Sequence, residues 1–366
     1  MPAKRVAILY SELAGYTMAC LNALKKDHDV EILVCYWPPA PDAPFAFGQI
    51  DVVDHAYPKD KYTLNQLKGI VERFDPHVVV VSGWMDQDYL KIARGLKRKG
   101  IPVISGLDAS WKGSLRQQIL GLLGPWYLKR YINTFWVTGE RQAQYAKRLA
   151  FKGKNLRYGL YCCDWSRFAR SYFLQDEQTE DAFLFVGRYI PIKGIHILLE
   201  AYKRYRDRVE NPWKLYCAGA GELKEEVERV PGVVNLGFIQ PDDLPGIMQR
   251  SRVFVLPSLY EPWGVVIQEA AASGLPVICS DACGAGPHLV QDGYNGCIVE
   301  SGNTGHLTEC LVAMSSLGYD EYARMSEGSF ELSKQFRPER WATTLMSMAG
   351  GQKRSDGKSG QTHLNT

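Results

Sequence analysis

Short apolar runs recur along the first half of the chain and alternate with longer amphipathic segments. Four of these runs span residues 5–9, 30–36, 77–82 and 101–105, and polar or turn-forming residues separate them from the segments between. A continuous apolar run of this length predicts a strand buried on both faces, as in a parallel sheet. Strands that alternate with helices predict a doubly wound α/β fold. We therefore predict a Rossmann-like domain over residues 1–170.

The second half of the chain repeats the same alternation. Apolar runs at 181–186 and 252–256 predict strands, and amphipathic segments follow each of them. A chain of 366 residues is also too long for one compact core. We predict a second Rossmann-like domain over 171–336 and a C-terminal helix over 337–349. Residues 350–366 lack apolar periodicity, which predicts a disordered tail.

The loop that follows the strand at 252–256 carries the first candidate site. It reads E-P-W-G-V-V-I-Q-E over residues 261–269 and opens a short helix. The backbone N–H groups of Gly264, Val265 and Val266 have no intrahelical acceptor there, and the helix dipole favours negative charge. Gly264 also leaves the backbone open to a phosphate. The loop therefore predicts an anion site.

Two carboxylates, Glu261 and Glu269, flank this predicted anion site. Carboxylates do not bind phosphate, but they accept hydrogen bonds from hydroxyl groups, such as those of a sugar and a ribose. Taken alone, the loop is equally typical of an ordinary α/β turn with two solvated glutamates.

A second loop of the same kind lies about seventy residues upstream. The strand at 181–186 is followed by Gly187 and Arg188, and then by Lys193 and Gly194, before a helix begins. Two cations five positions apart on such a loop can reach one diphosphate from two sides. Arginine offers a planar fork of donors, and lysine offers a compact charge. This loop therefore predicts a diphosphate site.

Together, the two loops resemble the donor signatures of GT-B glycosyltransferases of the retaining family usually numbered four. Members carry G-R-x-x-x-x-K-G and then E-x7-E, which this chain has at 187–194 and 261–269. The resemblance implies two Rossmann-like domains that face a cleft, with the C-terminal helix crossing back onto the first domain. It also implies transfer of a sugar from a UDP- or GDP-linked donor to a hydroxyl acceptor, with retention at the anomeric carbon.

The same resemblance assigns roles to residues of this chain. The catalytic candidates are Arg188, Lys193 and Glu261. The donor is expected to contact Gly15, Gly187, Gly264, Val265, Val266 and Glu269. No metal ion and no cofactor are expected, because protein groups can balance the charge that develops on a leaving diphosphate.

The chain departs from the family pattern at two places in the first domain. The first loop usually has a Gly-Gly turn beside the donor diphosphate, and only Gly15 remains here. Gly15 is therefore a donor contact or simply the glycine that starts a helix. Where the family often has a histidine near the acceptor, this chain has Asp108. Asp108 either orients an acceptor hydroxyl or caps the next helix.

Metal-binding patterns are weak. Asp86 and Asp88 form a D-x-D like the metal motif of the other large glycosyltransferase fold, but a three-residue match arises easily by chance. The nine cysteines show no zinc or disulfide spacing, and the N-terminus has no signal-peptide core. We therefore expect reduced thiols in a cytoplasmic protein.

Charge is concentrated in one part of the first domain. Residues 91–157 contain 15 lysines and arginines but only two acidic residues, Asp108 and Glu140. Aromatic residues lie among them, namely Trp111, Trp126, Tyr127 and Tyr131. An excess of one sign with aromatic rings is typical of an anionic membrane surface. We predict peripheral binding to the cytoplasmic leaflet and a lipid-linked or polysaccharide acceptor; solvated helix faces are the alternative. No nucleic-acid motif accompanies the charge.

Other functions remain open from the sequence. A catalytically silent GT-B protein would bind a nucleotide sugar as a sensor or partner, and a GT-B epimerase would use the same donor. A Rossmann oxidoreductase needs G-x-G-x-x-G after its first strand, and residues 11–15 do not supply it.

Overall fold

The computed structural model describes residues 3–38, 51–173 and 179–350, which form two parallel sheets flanked by helices. The first sheet has seven strands in the order β3-β2-β1-β4-β5-β6-β7. Its strands are β1 (Lys4–Glu12), β2 (Val30–Trp37), β3 (His55–Pro58), β4 (Val78–Val81), β5 (Val103–Leu107), β6 (Thr134–Val137) and β7 (Leu156–Tyr158).

The second sheet has six strands in the order β10-β9-β8-β11-β12-β13. Its strands are β8 (Ala182–Val186), β9 (Lys214–Ala218), β10 (Val233–Gly237), β11 (Val253–Leu256), β12 (Val277–Ser280) and β13 (Gly296–Val299). Neighbouring strands of both sheets pair in parallel. The predicted class, two Rossmann-like parallel-sheet domains, is confirmed.

The helices alternate with the strands as the apolar pattern predicted. Those before β8 are α1 (Gly15–Asp27), α2 (Leu64–Phe74), α3 (Gln87–Arg98), α4 (Leu115–Leu128), α5 (Glu140–Arg148) and α6 (Trp165–Phe173). Those after it are α7 (Ile195–Arg206), α8 (Lys224–Arg229), α9 (Leu244–Gln249), α10 (Val265–Ala272), α11 (Gly286–Leu289), α12 (Thr304–Ser315), α13 (Tyr319–Ser333) and α14 (Pro338–Ala349).

Local sequence explains where several of these elements lie. The four valines of β4 are buried on both faces, so the strand sits at the centre of its sheet. A capping box starts α2: the Thr63 hydroxyl accepts from Gln66 N–H, and the Gln66 side chain accepts from Thr63 N–H. Strand β3 has only four residues and lies at the edge of its sheet.

The segment that joins the two sheets packs on the second domain. The Trp165 indole N–H of α6 donates to the Ser333 hydroxyl at 2.8 Å. The Ser171 hydroxyl, also in α6, donates to the Pro245 carbonyl at 3.0 Å. The boundary predicted between residues 170 and 171 falls inside this helix.

Helix α14 crosses back to the first domain, as the fold prediction required. The Trp341 ring stacks on Trp136 of β6, with ring centroids 4.8 Å apart. Its indole N–H donates to the Leu160 carbonyl at 2.9 Å. Trp341 is therefore a buried aromatic anchor between the two domains.

The expectation that all cysteines are reduced is wrong for one pair. A disulfide joins Cys297 of β13 to Cys310 of α12. Since α12 follows β13 and packs beside it, the fold brings the two sulfurs together although their sequence spacing matches no framework. The other seven cysteines are buried thiols.

The C-terminal tail that the sequence predicts to be disordered lies outside the described residues, apart from Gly350. Within the described part of the chain, no helix combines the length and the apolar character needed to cross a bilayer.

The first prediction concerns the anchor of α14. Replacing Trp341 with alanine should lower the free energy of unfolding by about 3–5 kcal/mol, because a large buried ring and its hydrogen bond are lost. Urea denaturation followed by circular dichroism measures the change. Trp126→Ala is the matched control, since that ring is 79% exposed; it should change the value by less than about 0.5 kcal/mol. Equal effects of the two variants would contradict an anchoring role.

Candidate active site

The two loops predicted to bind the donor meet at one edge of the second sheet. They follow β8 and β11, which are parallel neighbours, so their carboxyl ends lie side by side. Leu259 N–H donates to the Ile192 carbonyl at 2.9 Å and ties one loop to the other. Gly194 has a φ of 70°, and a Cβ there would lie 2.0 Å from the Pro257 carbonyl oxygen. Glycine is thus required for this close approach.

Lys193 and Glu261 form an ion pair between these loops. Their side chains are 21% and 10% exposed, so the pair is largely shielded from water. An ion pair in such surroundings is held firmly, since removing either partner leaves an uncompensated charge. The structure therefore brings together two of the three predicted catalytic residues. The third, Arg188, lies exposed on the same loop as Lys193.

The start of α10 has the geometry expected of an anion site. Gly264 is the N-cap residue with a φ of 93°, and it has no side chain with which to cap the helix. A Cβ at Gly264 would lie 3.1 Å from Cγ of Glu261. The first N–H groups of α10, including those of Val265 and Val266, therefore have neither an intrahelical acceptor nor a capping side chain. Positive φ and lack of space together explain the glycine.

Glu269 lies in the second turn of α10, close to the segment that joins the domains. Burial raises the pKa of its carboxyl group to about 7, and the negative charge of Asp164 adds to this effect. Glu269 is thus partly protonated near neutral pH. A pair of hydroxyl groups that donate hydrogen bonds to the carboxylate would favour its ionised form and lower the pKa.

The first domain contributes Asp108 to the opposite side of the cleft. The Tyr161 hydroxyl donates to the Asp108 carboxylate at 3.1 Å. The Gln142 amide donates both to the Asp108 carbonyl, at 3.0 Å, and to the Pro262 carbonyl in the second domain, at 2.7 Å. Ser114, not Asp108, is the N-cap of α4, so the helix-cap alternative for Asp108 is wrong.

Two further glycines, Gly187 and Gly15, are predicted to contact the donor, and they lie in different surroundings. Gly187 follows β8 directly, and its N–H donates to the Ala218 carbonyl at 3.0 Å. Gly15 is the first residue of α1, as its helix-starting alternative required. A Cβ at Gly15 would lie 3.8 Å from Cβ of Pro241, so Gly15 also faces the second domain. A role in donor binding stays a prediction for both.

The D-x-D at Asp86 and Asp88 has a structural role. The Lys59 ammonium lies 2.5 Å from an oxygen of Asp86 and 3.6 Å from one of Asp88. Asp86 also caps α3 by accepting from the N–H groups of Asp88 and Tyr89. Burial acts to raise the pKa of Asp86, but the hydrogen bonds from Lys59, Tyr89 N–H and Trp37 outweigh it and hold the pKa below its usual value. Lys59 thus pairs with both carboxylates of the D-x-D.

Two adjoining cavities lie on the first-domain side of the cleft. One, of about 580 Å³, is lined by polar and aromatic groups that include Asp108, Asp86 and Trp37. The other, of about 560 Å³, is mainly apolar and extends along α4. Both are lined by Met85 and Gln87, so the polar chamber and the apolar one share part of their walls.

Several residues at this cleft escaped sequence reasoning. Trp37, Lys59, Gln142 and Tyr161 come from four separate segments, and none of them stands in a recognisable motif. An apolar or aromatic residue at the end of a strand, as Trp37 is, was the only signal available. Residues of this kind face the cleft because parallel strands all end at the same edge of the sheet.

Comparison with solved structures identifies the fold. The chain is similar to the Anabaena protein HepE in complex with UDP, with a TM-score of 0.72 over 94% of this chain and 98% of that one, at 17% identity. It is also similar to sucrose-phosphate synthase from Thermosynechococcus elongatus, with a TM-score of 0.70 over the same shares and 16% identity. At such identities the likeness shows the fold alone, and the class is GT-B.

Sequence comparison finds a family match over part of the chain. Residues 180–316, which include both donor loops, match the family model described as Glycosyl transferases group 1. The match lies within the second domain and covers less than half of the chain. The predicted resemblance is confirmed at this level, whereas retention and the family number stay predictions.

Individual relatives match over less than half of the chain. A Methanocaldococcus jannaschii protein named as an uncharacterized glycosyltransferase is 34% identical over 163 residues, covering 42% of this chain and 40% of that protein. Alpha-maltose-1-phosphate synthase of Mycobacterium tuberculosis is 33% identical over 152 residues, covering 37% and 38%. The matched segments thus span less than half of these relatives.

The second prediction uses the raised pKa of Glu269. If a ribose binds the ionised carboxylate, nucleotide binding releases a proton, and affinity should rise as pH increases through 7. With a pKa of about 7 in the free protein, the gain from about pH 6 to pH 8 should approach about tenfold. Isothermal titration with UDP or GDP at each pH measures it. Glu269→Gln should show only the shallower dependence of the nucleotide phosphate itself; parallel profiles for both proteins would contradict the role.

Proposed function

We propose that this protein is a glycosyltransferase that moves a sugar from a UDP- or GDP-linked donor to a hydroxyl acceptor with retention of anomeric configuration. The observation that carries the proposal is the ion pair between Lys193 and Glu261, which joins the two donor-signature loops beside the start of α10. A phosphate-binding group and a hydroxyl-binding group are thereby held next to each other, as a sugar diphosphate requires.

The proposed chemistry assigns a separate task to each group. As the glycosidic bond to the donor breaks, negative charge develops on the β-phosphate. Arg188, Lys193 and the N-terminus of α10 stabilise this charge, so no metal ion is needed. Glu261 accepts hydrogen bonds from the donor sugar, and Glu269 from the ribose. The departing phosphate takes the proton of the acceptor hydroxyl.

The polar chamber in the first domain favours a transferase over the silent binder and the epimerase. A silent nucleotide-sugar binder or an epimerase needs room for the donor only. Here, Asp108 lines the polar chamber, and the Gln142 amide donates both to the Asp108 carbonyl and to the Pro262 carbonyl, next to Glu261. A separate acceptor site next to the donor site supports group transfer. The UDP-bound neighbour and the O-antigen chain mannosyltransferase B of Escherichia coli, 32% identical over 117 residues covering 30% of each chain, agree with it.

The shape of the two cavities supports a lipid-linked acceptor. The polar chamber suits a hydroxyl-bearing headgroup that stacks on Trp37 and binds Asp108. The apolar chamber, lined by Leu115 and Ile119 of α4, suits the hydrocarbon part that is attached to it. An amphiphilic acceptor therefore fits the joined cavities better than a free sugar does.

The surface of α4 supports work at a membrane. Gly124 and Leu128 are the buried residues of this helix, whereas most of its large apolar side chains face outward. Exposure reaches 81% for Leu122 and 79% for Trp126. Arg116 near the start of α4, and Lys129 and Arg130 directly after its end, are also exposed. Exposed apolar side chains with basic residues at both ends of the helix are complementary to an anionic bilayer surface, so we propose that the protein binds the cytoplasmic leaflet.

The third prediction tests the donor site. A screen of UDP-, GDP- and ADP-sugars by thermal shift identifies the donor, and release of nucleoside diphosphate measures turnover. Arg188→Ala and Lys193→Ala should each cost about 2–4 kcal/mol of transition-state stabilisation, since each removes a charge that faces the leaving phosphate. Lys203→Ala and Arg204→Ala, on exposed positions of α7, should leave turnover unchanged.

Four outcomes contradict the proposal or decide between the functions. Wild-type turnover in both loop variants contradicts the proposed site. A changed sugar isomer without acceptor glycosylation supports the epimerase, and binding without any turnover supports the silent binder. Turnover that vanishes with a chelator and returns with magnesium or manganese contradicts metal-independent transfer.

The fourth prediction tests the membrane surface. The protein should pellet with vesicles that contain anionic phospholipid at low salt and dissociate as salt rises, because each basic residue near the surface contributes about 1 kcal/mol that salt screens. Reversing the charges of Arg116, Lys129 and Arg130 together should abolish pelleting. Lys97 is left unchanged, because its ammonium binds the carbonyls of Lys129 and Ile132 and supports the fold.

The matched control reverses three charges on the second domain, those of Lys203, Arg204 and Arg229, which are exposed. It changes the net charge equally and should still pellet. Equal pelleting with neutral vesicles, or equal loss in both variants, would instead mean that the basic residues only form solvated helix faces.

A further inference from the structure

A second group of reactive side chains lies on the second domain, at the far edge of its sheet. Cys297, His306 and Cys310 each offer a ligand atom, and these atoms lie within 4.8 Å of one another. Cys297 belongs to β13, the edge strand, which is separated from β11 by β12. The group is therefore distinct from the Lys193–Glu261 pair, and its chemistry does not depend on the proposed function.

The local fold explains why the three side chains converge. His306 and Cys310 are four residues apart in α12, so they lie on one face of that helix, one turn apart. β13 leads into α12 through a short loop, and the helix packs back beside the strand. Cys297 then stands opposite the two helical residues. The pattern C-x8-H-x3-C resembles no familiar zinc spacing, which is why the sequence did not predict it.

The chemistry of these groups suits a particular class of metal ion. Two thiolates and one imidazole are soft or borderline ligands, which magnesium and calcium do not favour. Zinc accepts this donor set in tetrahedral geometry, and three protein ligands leave a fourth position for water. His306 is exposed, and its Nδ1 accepts only a long hydrogen bond of 3.4 Å from Glu300 N–H. The ring can exchange that bond for a metal bond.

We propose that Cys297, His306 and Cys310 bind one zinc ion when the disulfide between the two cysteines is reduced. A dithiol reductant returns the disulfide to two thiols and is itself oxidised to a disulfide. Zinc then displaces the two thiol protons, which pass to solvent, and the imidazole supplies the third ligand. The disulfide and the zinc site are thus alternative states of one pair of sulfurs.

Both the disulfide and the zinc ion would restrain the loop between β13 and α12, which lies beside a contact between the domains. In the loop between β13 and α12, Ser301 N–H donates to the Asp281 carboxylate at 2.9 Å. The Asp281 carbonyl in turn accepts from Arg141 of the first domain. Either cross-link therefore fastens β13 to α12 beside a contact between the domains, whereas the free dithiol leaves this loop less restrained.

The fifth prediction is tested on the full chain. Protein reduced with a phosphine, and exposed to zinc and then dialysed, should retain one zinc ion per chain by elemental analysis. Cobalt in place of zinc should give thiolate-to-metal charge-transfer absorption. Cys310→Ser and His306→Gln should each lower zinc affinity by at least about tenfold, since one ligand bond is lost. Protein kept oxidised should retain no zinc.

Matched controls separate this site from general thiol or imidazole binding. His196→Gln changes an exposed histidine of α7, and Cys35→Ala changes a buried thiol of β2; both should retain zinc as the wild type does. Circular dichroism verifies that each variant is folded. Reduced wild type that retains no zinc overturns the proposal and leaves a disulfide pair alone. Unchanged affinity in His306→Gln overturns the three-ligand assignment.

Discussion

The ion pair between Lys193 and Glu261 is the interaction on which the candidate active site depends. Shielding two charges from water is costly, and the cost is offset only when both partners are held in good geometry. Here, a backbone hydrogen bond and the tight packing of Gly194 on Pro257 hold the two loops together. The order of β8 and β11 in the sheet brings those loops side by side. In the proposed function, a sugar diphosphate therefore binds at a site whose charges are already in place.

The second constraint is the contact between the domains. Trp341 of α14 stacks on Trp136 and binds the Leu160 carbonyl, while Gln142 links Asp108 with Pro262 on the other side. The helix that ends the described chain thus fixes the first domain against the second. The proposed transfer requires the acceptor hydroxyl to reach the donor sugar at bonding distance, so these anchors would control its geometry.

The sequence predicted what short segments determine. The run of valines in β4 predicted a buried parallel strand. Glycines and charged residues at fixed spacing predicted the two donor-signature loops. It did not predict what distant segments build together. Lys59 neutralises Asp86 across 27 residues, and Cys297 meets His306 and Cys310 only once α12 packs on β13. The spacing of residues along the chain does not predict such contacts, because a loop of given length can bring many different pairs of residues together.

This difference also separates the two halves of the proposed reaction. The proposed phosphate site combines backbone N–H groups at the start of α10 with cations on the loop after β8. Each set lies on one short continuous segment, so each leaves a signature in the sequence. The acceptor cavities are lined by side chains from several segments, including Trp37, Asp86, Asp108 and Leu115. Each of these can change without disturbing a donor loop. In the proposed function, acceptor choice therefore depends on the first domain, where both cavities lie, and the sequence alone does not reveal it.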